Sequence, residues 1–143
     1  MKFKLLVALA AVAVGYAGIA VGQDTAIPAR QEIMKMNSAT MKKIGAMVKG
    51  ETPFNATEAA DGMKIIADNM TQFPSLFPPG SDQGDTKAGP AIWSDTAGFQ
   101  AAAAKLVTDA KAAQEAAGSL ETFSPAFEQV GSNCGGCHKV YRE

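Results

Sequence analysis

The stretch SLETFSPAFEQVGSNCGGCHKVY, residues 119–141, governs the architecture of this chain, because one helical stripe and one reactive cluster coincide in it. Leu120, Phe123, Phe127, Val130, Cys134 and Cys137 recur at steps of three, four and three or four residues. That spacing puts side chains on one face of an α-helix, whereas a strand would need a period of two. A helix is therefore expected to start between Ser119 and Pro125 and to run on to the C-terminus, with these six residues facing inward. Both cysteines of the chain and its single histidine, His138, then belong to that one helix.

Three earlier segments show the same period. The first runs from about Pro28, suited to a first helical turn, to Val48, with Gly50 marking its end. Met34, Met41 and Val48 form one stripe in it, flanked by Ile33, Ile44 and Met47. The second opens at Asn55, which with Glu58 resembles a capping box, carries Met63, Ile66, Met70 and Phe73 inward, and is closed by Pro74. The third starts at Ser94 or Asp95, either able to cap its free amides, and presents Phe99, Ala103, Leu106, Ala110, Ala113 and Ala117 before Gly118. Four amphipathic helices, mostly with short connections, bury all four stripes together as an antiparallel four-helix bundle, so the fold class is all-α. The exception is residues 74–90, PSLFPPGSDQGDTKAGP, with four prolines and three glycines. A connection of that length in a small domain is more often packed over something than idle.

Residues 1–22, MKFKLLVALAAVAVGYAGIAVG, have a basic start, an apolar run and small residues before Gln23, the order of a secretory signal peptide. The domain is then 23–143, with eleven basic residues against fourteen acidic, a formal charge of −3. Such a balance argues against a nucleic-acid partner. Export to the periplasm, an oxidising compartment, means that two cysteines this close are expected to be oxidised or consumed by a cofactor. No membrane span is expected once the leader is removed.

Four chemistries compete for Cys134-Gly-Gly-Cys137-His138. A structural zinc site needs four thiolate or imidazole ligands, and the whole chain has three. A redox dithiol belongs beside a βαβ unit, for which there is no strand pattern. A disulfide across two residues closes so small a loop that it removes little entropy from the unfolded chain, and it leaves the histidine unexplained. Covalent haem attachment uses all three residues: the thiols add to the two vinyl groups at the porphyrin edge, and the adjacent imidazole ligates the iron. Gly135 and Gly136 cost helix propensity but place no side chain in the way of the macrocycle. One haem c, held by Cys134 and Cys137 with His138 on the iron, is the expected cofactor. Asn55-Ala-Thr57 and Asn69-Met-Thr71 match the glycosylation pattern by chance, since both fall on predicted helices.

A haem motif at the extreme C-terminus of a four-helix chain, ending CGGCHKVYR, resembles the class II c-type cytochromes, the family of cytochrome c′ and cytochrome c-556. ARQEIMK at 29–35, AMVKGETPF at 46–54 and PAIWSD at 90–95 extend the resemblance over nearly the whole mature chain. It implies a left-handed four-helix bundle with haem between the helices. It also implies that Met34, four residues after Arg30, lies over the distal face of the haem. In some members the residue there only blocks the iron, which stays five-coordinate, and in others a methionine binds it. With IMK, GAMVKGETPF and LFPPGS, the chain is more similar to the low-spin members, so the resemblance points to Met34 as sixth ligand. Met36 lies off the Met34 stripe by roughly 200° at about 100° per residue, and Met41 is two turns further along.

By the same resemblance, Arg30 and Gln31 lie near a haem propionate, Arg142 beside the proximal face and Trp93 against the haem edge. As plain residues, Arg30 could be a solvated first-turn arginine, Arg142 a helix-dipole partner, Trp93 a cap or core filler, and Tyr141 core. His/Met ligation saturates the iron and suits one-electron transfer with redox partner proteins. A vacant sixth position would instead admit nitric oxide or carbon monoxide. No paired carboxylates and no nucleophile with a base can be picked out, so catalysis is not expected. The resemblance allows either a monomer or a homodimer.

Overall fold

In a computed structural model, which describes residues 23–143, the chain is helical: α1 Gln23–Val48, α2 Ala56–Gln72, a 3-10 turn Phe73–Leu76, a short α3 Ala91–Ser94, α4 Thr96–Glu115 and α5 Leu120–Tyr141. The leader expected at 1–22 lies outside the described residues.

Local chemistry sets most of the helix ends. Asn55 accepts the Glu58 amide at 3.0 Å, Asp95 the Gly98 amide at 3.1 Å, and Ser119 the Thr122 amide at 3.2 Å. Each side chain satisfies a donor that the first turn cannot pair internally. The start of α1 departs from expectation, for Pro28 lies inside the helix rather than in its first turn. It is exposed, and as a proline it leaves the carbonyl four residues earlier without a helical amide partner. A second departure is α3, a single turn that precedes the break at Asp95.

α1, α2, α4 and α5 form the four-helix bundle, with α4 packed most extensively on α2 and α5. The core follows the predicted stripes of α2, α4 and α5, with Met63, Ile66, Met70, Phe99, Leu106, Ala110, Phe123 and Val130 all buried, whereas in α1 the flanking Ile33, Ile44 and Met47 are buried and the Met34, Met41 and Val48 stripe is half-buried. Leu120 corrects the α5 stripe, since it is 37% exposed.

One polar pair sits inside the bundle. Asn69 on α2 donates to Asn37 Oδ1 on α1 at 2.8 Å, and Asn37 donates to Met70 Sδ at 3.5 Å, both asparagines being buried. The pair fixes the register of α1 against α2, because a slip of one turn would strand both amides in apolar surroundings. Asn69→Ala is expected to lower stability by about 1–3 kcal/mol. The double replacement Asn37→Leu/Asn69→Leu should recover much of that, as read from urea midpoints, since no buried amide is then left unpaired.

Candidate functional site

Cys134 and Cys137 lie three residues apart on α5, both half-buried, both free thiols, and both packed against the core. Burial pushes the Cys134 thiol up, and it does the same for Cys137, with the neighbouring Cys134 adding to the effect. Both are thus neutral thiols rather than thiolates at neutral pH. Gly135 and Gly136 lie exposed between them, and a Cβ built on either would meet no protein atom within 4 Å. The space the glycines leave is therefore free of protein.

His138 is exposed at the residue level. Partial burial of its ring, with the Arg142 charge second, holds its pKa below the ordinary histidine value. The neutral imidazole this favours is the metal-ligating form. Arg142 closes the helix, its amide donating to the His138 carbonyl at 3.1 Å while its side chain stays exposed.

The position of Met34 follows from how α1 meets α5. A Cβ built on Gly45 would lie 3.9 Å from the Phe127 ring, and one on Gly131 would lie 3.8 Å from Met41 Cε. Four residues back along α1 therefore correspond to four residues forward along α5, which is an antiparallel register. Seven further residues in each direction, two turns of each helix, lead from Met41 to Met34 and from Gly131 to His138. Carried on for those two turns, the same register pairs Met34 on α1 with His138 on α5. Met34 is half-buried against the core, whereas Met36 is 41% exposed, on the other side of α1.

Arg30 is neither solvated nor free. It is 5% exposed, donates through Nη2 to the Ser81 carbonyl at 2.7 Å, and lies over the Phe77 ring at 4.5 Å. Burial lowers its pKa from the ordinary arginine value, yet a guanidinium remains charged. Gln31 donates to the Asp85 carbonyl at 2.8 Å. Trp93 is half-buried, with its ring edge-on to Phe77 at 6.0 Å and its Nε1 donating to the Pro78 carbonyl at 3.4 Å. Arg30, Gln31 and Trp93 thus converge through their side chains on the long 74–90 connection, and Arg142 meets it through its backbone, in an antiparallel bridge with Ala88. Tyr141 is core, as expected, and its hydroxyl also donates to Asp95 at 3.0 Å. Sequence reasoning missed Phe77 and Ser81 as the partners of Arg30; the only signal was the length of that connection. Neither asparagine of the glycosylation pattern is spare, Asn55 being a cap and Asn69 buried in its pair with Asn37.

A family model described as Cytochrome C′ matches residues 25–142. The chain is 38% identical over 117 residues to a cytochrome c-556 of Agrobacterium fabrum, covering 79% of this chain and 77% of that protein. It is 36% identical over 143 residues to a cytochrome c′ of Rhodopseudomonas palustris, covering 99% and 97%. Among solved structures, cytochrome c′ from Rhodopseudomonas palustris superposes with a TM-score of 0.79 at 36% identity, over 82% of this chain and 95% of that one. Cytochrome c′ from Shewanella frigidimarina gives 0.79 at 32% identity, over 85% and 97%.

Proposed function

Because the chain belongs to the cytochrome c′ family, whose members carry covalently bound haem c, we propose that it is an exported one-electron carrier ligated by His138 and Met34. The observation that carries this reading is the antiparallel register of α1 on α5 at Gly45–Phe127 and Met41–Gly131, which, carried on two turns, pairs Met34 with His138. The donor set agrees with it: two unpaired thiols at the attachment spacing, a neutral imidazole next to them, and a half-buried thioether on α1.

In this reading Cys134 and Cys137 would hold the porphyrin edge, each thiol adding across one vinyl group to leave a thioether. His138 and Met34 would be the residues that ligate the iron, through nitrogen and sulfur. The haem, when bound, supplies an iron that gains or loses one electron. The protein's part is to keep both ligands in place in either oxidation state, so that little rearranges on transfer. α1 and α5 each carry one ligand, and the buried Asn37–Asn69 pair, one turn beyond Met34, resists rotation of α1. Arg30 and Gln31 stand one turn before Met34, where a cation would offset propionate charge. Trp93 is taken as shielding the haem edge and Arg142 as lying at the proximal face.

The apolar run and small residues of 1–22 support export to the periplasm, and no helix among the described residues is long and apolar enough to cross a membrane. Its partners would be redox proteins of that compartment. Visible and EPR spectra of the ferric protein, with carbon monoxide added to the ferrous form, test the assignment. A low-spin ferric signal and poor carbon monoxide binding are expected. A high-spin ferric signal with ready carbon monoxide binding would overturn Met34 ligation and make the protein a binder of small gases.

A further inference from the structure

α1 and α5, the helices of Met34 and His138, pack on each other at Gly45–Phe127 and Met41–Gly131, toward the opposite end of the bundle. At the Met34 end their bonds go elsewhere, to the 77–89 connection. From α1, Arg30 reaches the Ser81 carbonyl at 2.7 Å and Gln31 the Asp85 carbonyl at 2.8 Å. From α5, Tyr141 accepts the Gly89 amide at 2.9 Å, and the Glu143 amide donates to Lys87 at 3.0 Å. A Cβ on Gly89 would stand 3.3 Å from the Tyr141 carbonyl group, so strap and helix end are already at contact.

Beneath the strap runs an unbroken line of ring contacts. Arg30 lies 4.5 Å over Phe77, Phe77 meets Phe99 edge-on at 4.8 Å, and Phe99 meets Tyr141 edge-on at 5.3 Å. Arg30 is four residues before Met34 on α1 and Tyr141 three after His138 on α5. The line therefore spans from one ligand helix to the other, one turn from each candidate ligand. Edge-to-face rings are close-packed and do not compress.

We propose that the strap and its Arg30–Phe77–Phe99–Tyr141 layer act as the spacer that sets the separation of α1 and α5 at the haem. Phe77 and Gly89 are then positioning residues, acting on the iron through the helices and not by contact. The proposal rests on the reading of Met34 and His138 as residues on opposite faces of the haem.

The test uses the holo-protein carrying Phe77→Leu or Gly89→Ala, with Phe123→Leu as control, a similar apolar loss in a buried residue well away from the strap. The readouts are the ferric spin-state ratio and the carbon monoxide association rate of the ferrous form. Both strap variants are expected to shift the spin-state ratio and to change the association rate severalfold, while Phe123→Leu changes neither and lowers only the melting temperature. Strap variants that lose melting temperature yet keep both readouts at the parent values would overturn the proposal, as would a control that moves them equally. If Phe77→Leu does not accumulate, Gly89→Ala, which adds one methyl group, decides alone. A parent protein that proves high-spin removes Met34 ligation but leaves this test intact, because the association rate still reports the room above the iron.

Discussion

Met34→Ala is expected to convert the ferric protein from low-spin to high-spin and to open the ferrous protein to carbon monoxide. The change should be nearly complete, because no second histidine exists in the chain to replace the lost sulfur. The other methionines close in sequence are placed badly for rescue. Met36 is exposed on another side of α1, and Met41 is two turns away, with its Cε beside Gly131. Stability should fall less than for a fully buried methionine, since Met34 is only half-buried. EPR of the ferric state and stopped-flow mixing of the ferrous state with carbon monoxide provide the check. A variant that stays low-spin would show that Met34 packs beside the haem without ligating it.

Phe123→Ala is expected to bring the largest loss of stability, about 4 kcal/mol. Its side chain is fully buried, with Phe54 and Phe127 both at 5.7 Å between ring centres. The ring sits near the start of α5, where its contacts hold α5 to the segment joining α1 and α2. Its removal leaves a cavity that three helices cannot close by side-chain rotation alone. For a domain of this size the melting temperature should drop by roughly 15 °C. Low-temperature spectra should remain those of the parent, because residue 123 is fifteen positions before His138 on the same helix. Phe127→Ala, from a half-buried position, should cost clearly less. Equal losses at the two positions, read by thermal unfolding, would contradict this account of the core.

The four helices were legible because their causes are local. A stripe at three- and four-residue steps fixes which face is buried, and Asn55, Asp95 and Ser119 each satisfy amides within their own first turn. Where neighbours in space decide, expectation and structure part. Leu120 has the right phase for the core yet is 37% exposed, and Pro28 lies inside α1, exposed, rather than in its first turn. Arg30 shows the same limit in the candidate site. A charged residue early in a helix suggests exposure or a cofactor carboxylate, whereas a carbonyl fifty-one residues away binds it.

The attachment chemistry was settled by the chain's own inventory. Two thiols and an imidazole within five residues, too few ligands for zinc and no strands for a dithiol fold leave haem, whatever the tertiary arrangement. The distal side is different in kind. Met34 is more than a hundred residues from His138, and only the antiparallel register of α1 on α5 relates the two positions. The strap that joins the two helices is likewise built from carbonyls and ring faces that carry no sequence period. Covalent order states which groups are adjacent, but the spacing between helices depends on packing among residues remote from one another, and only the folded chain brings those together.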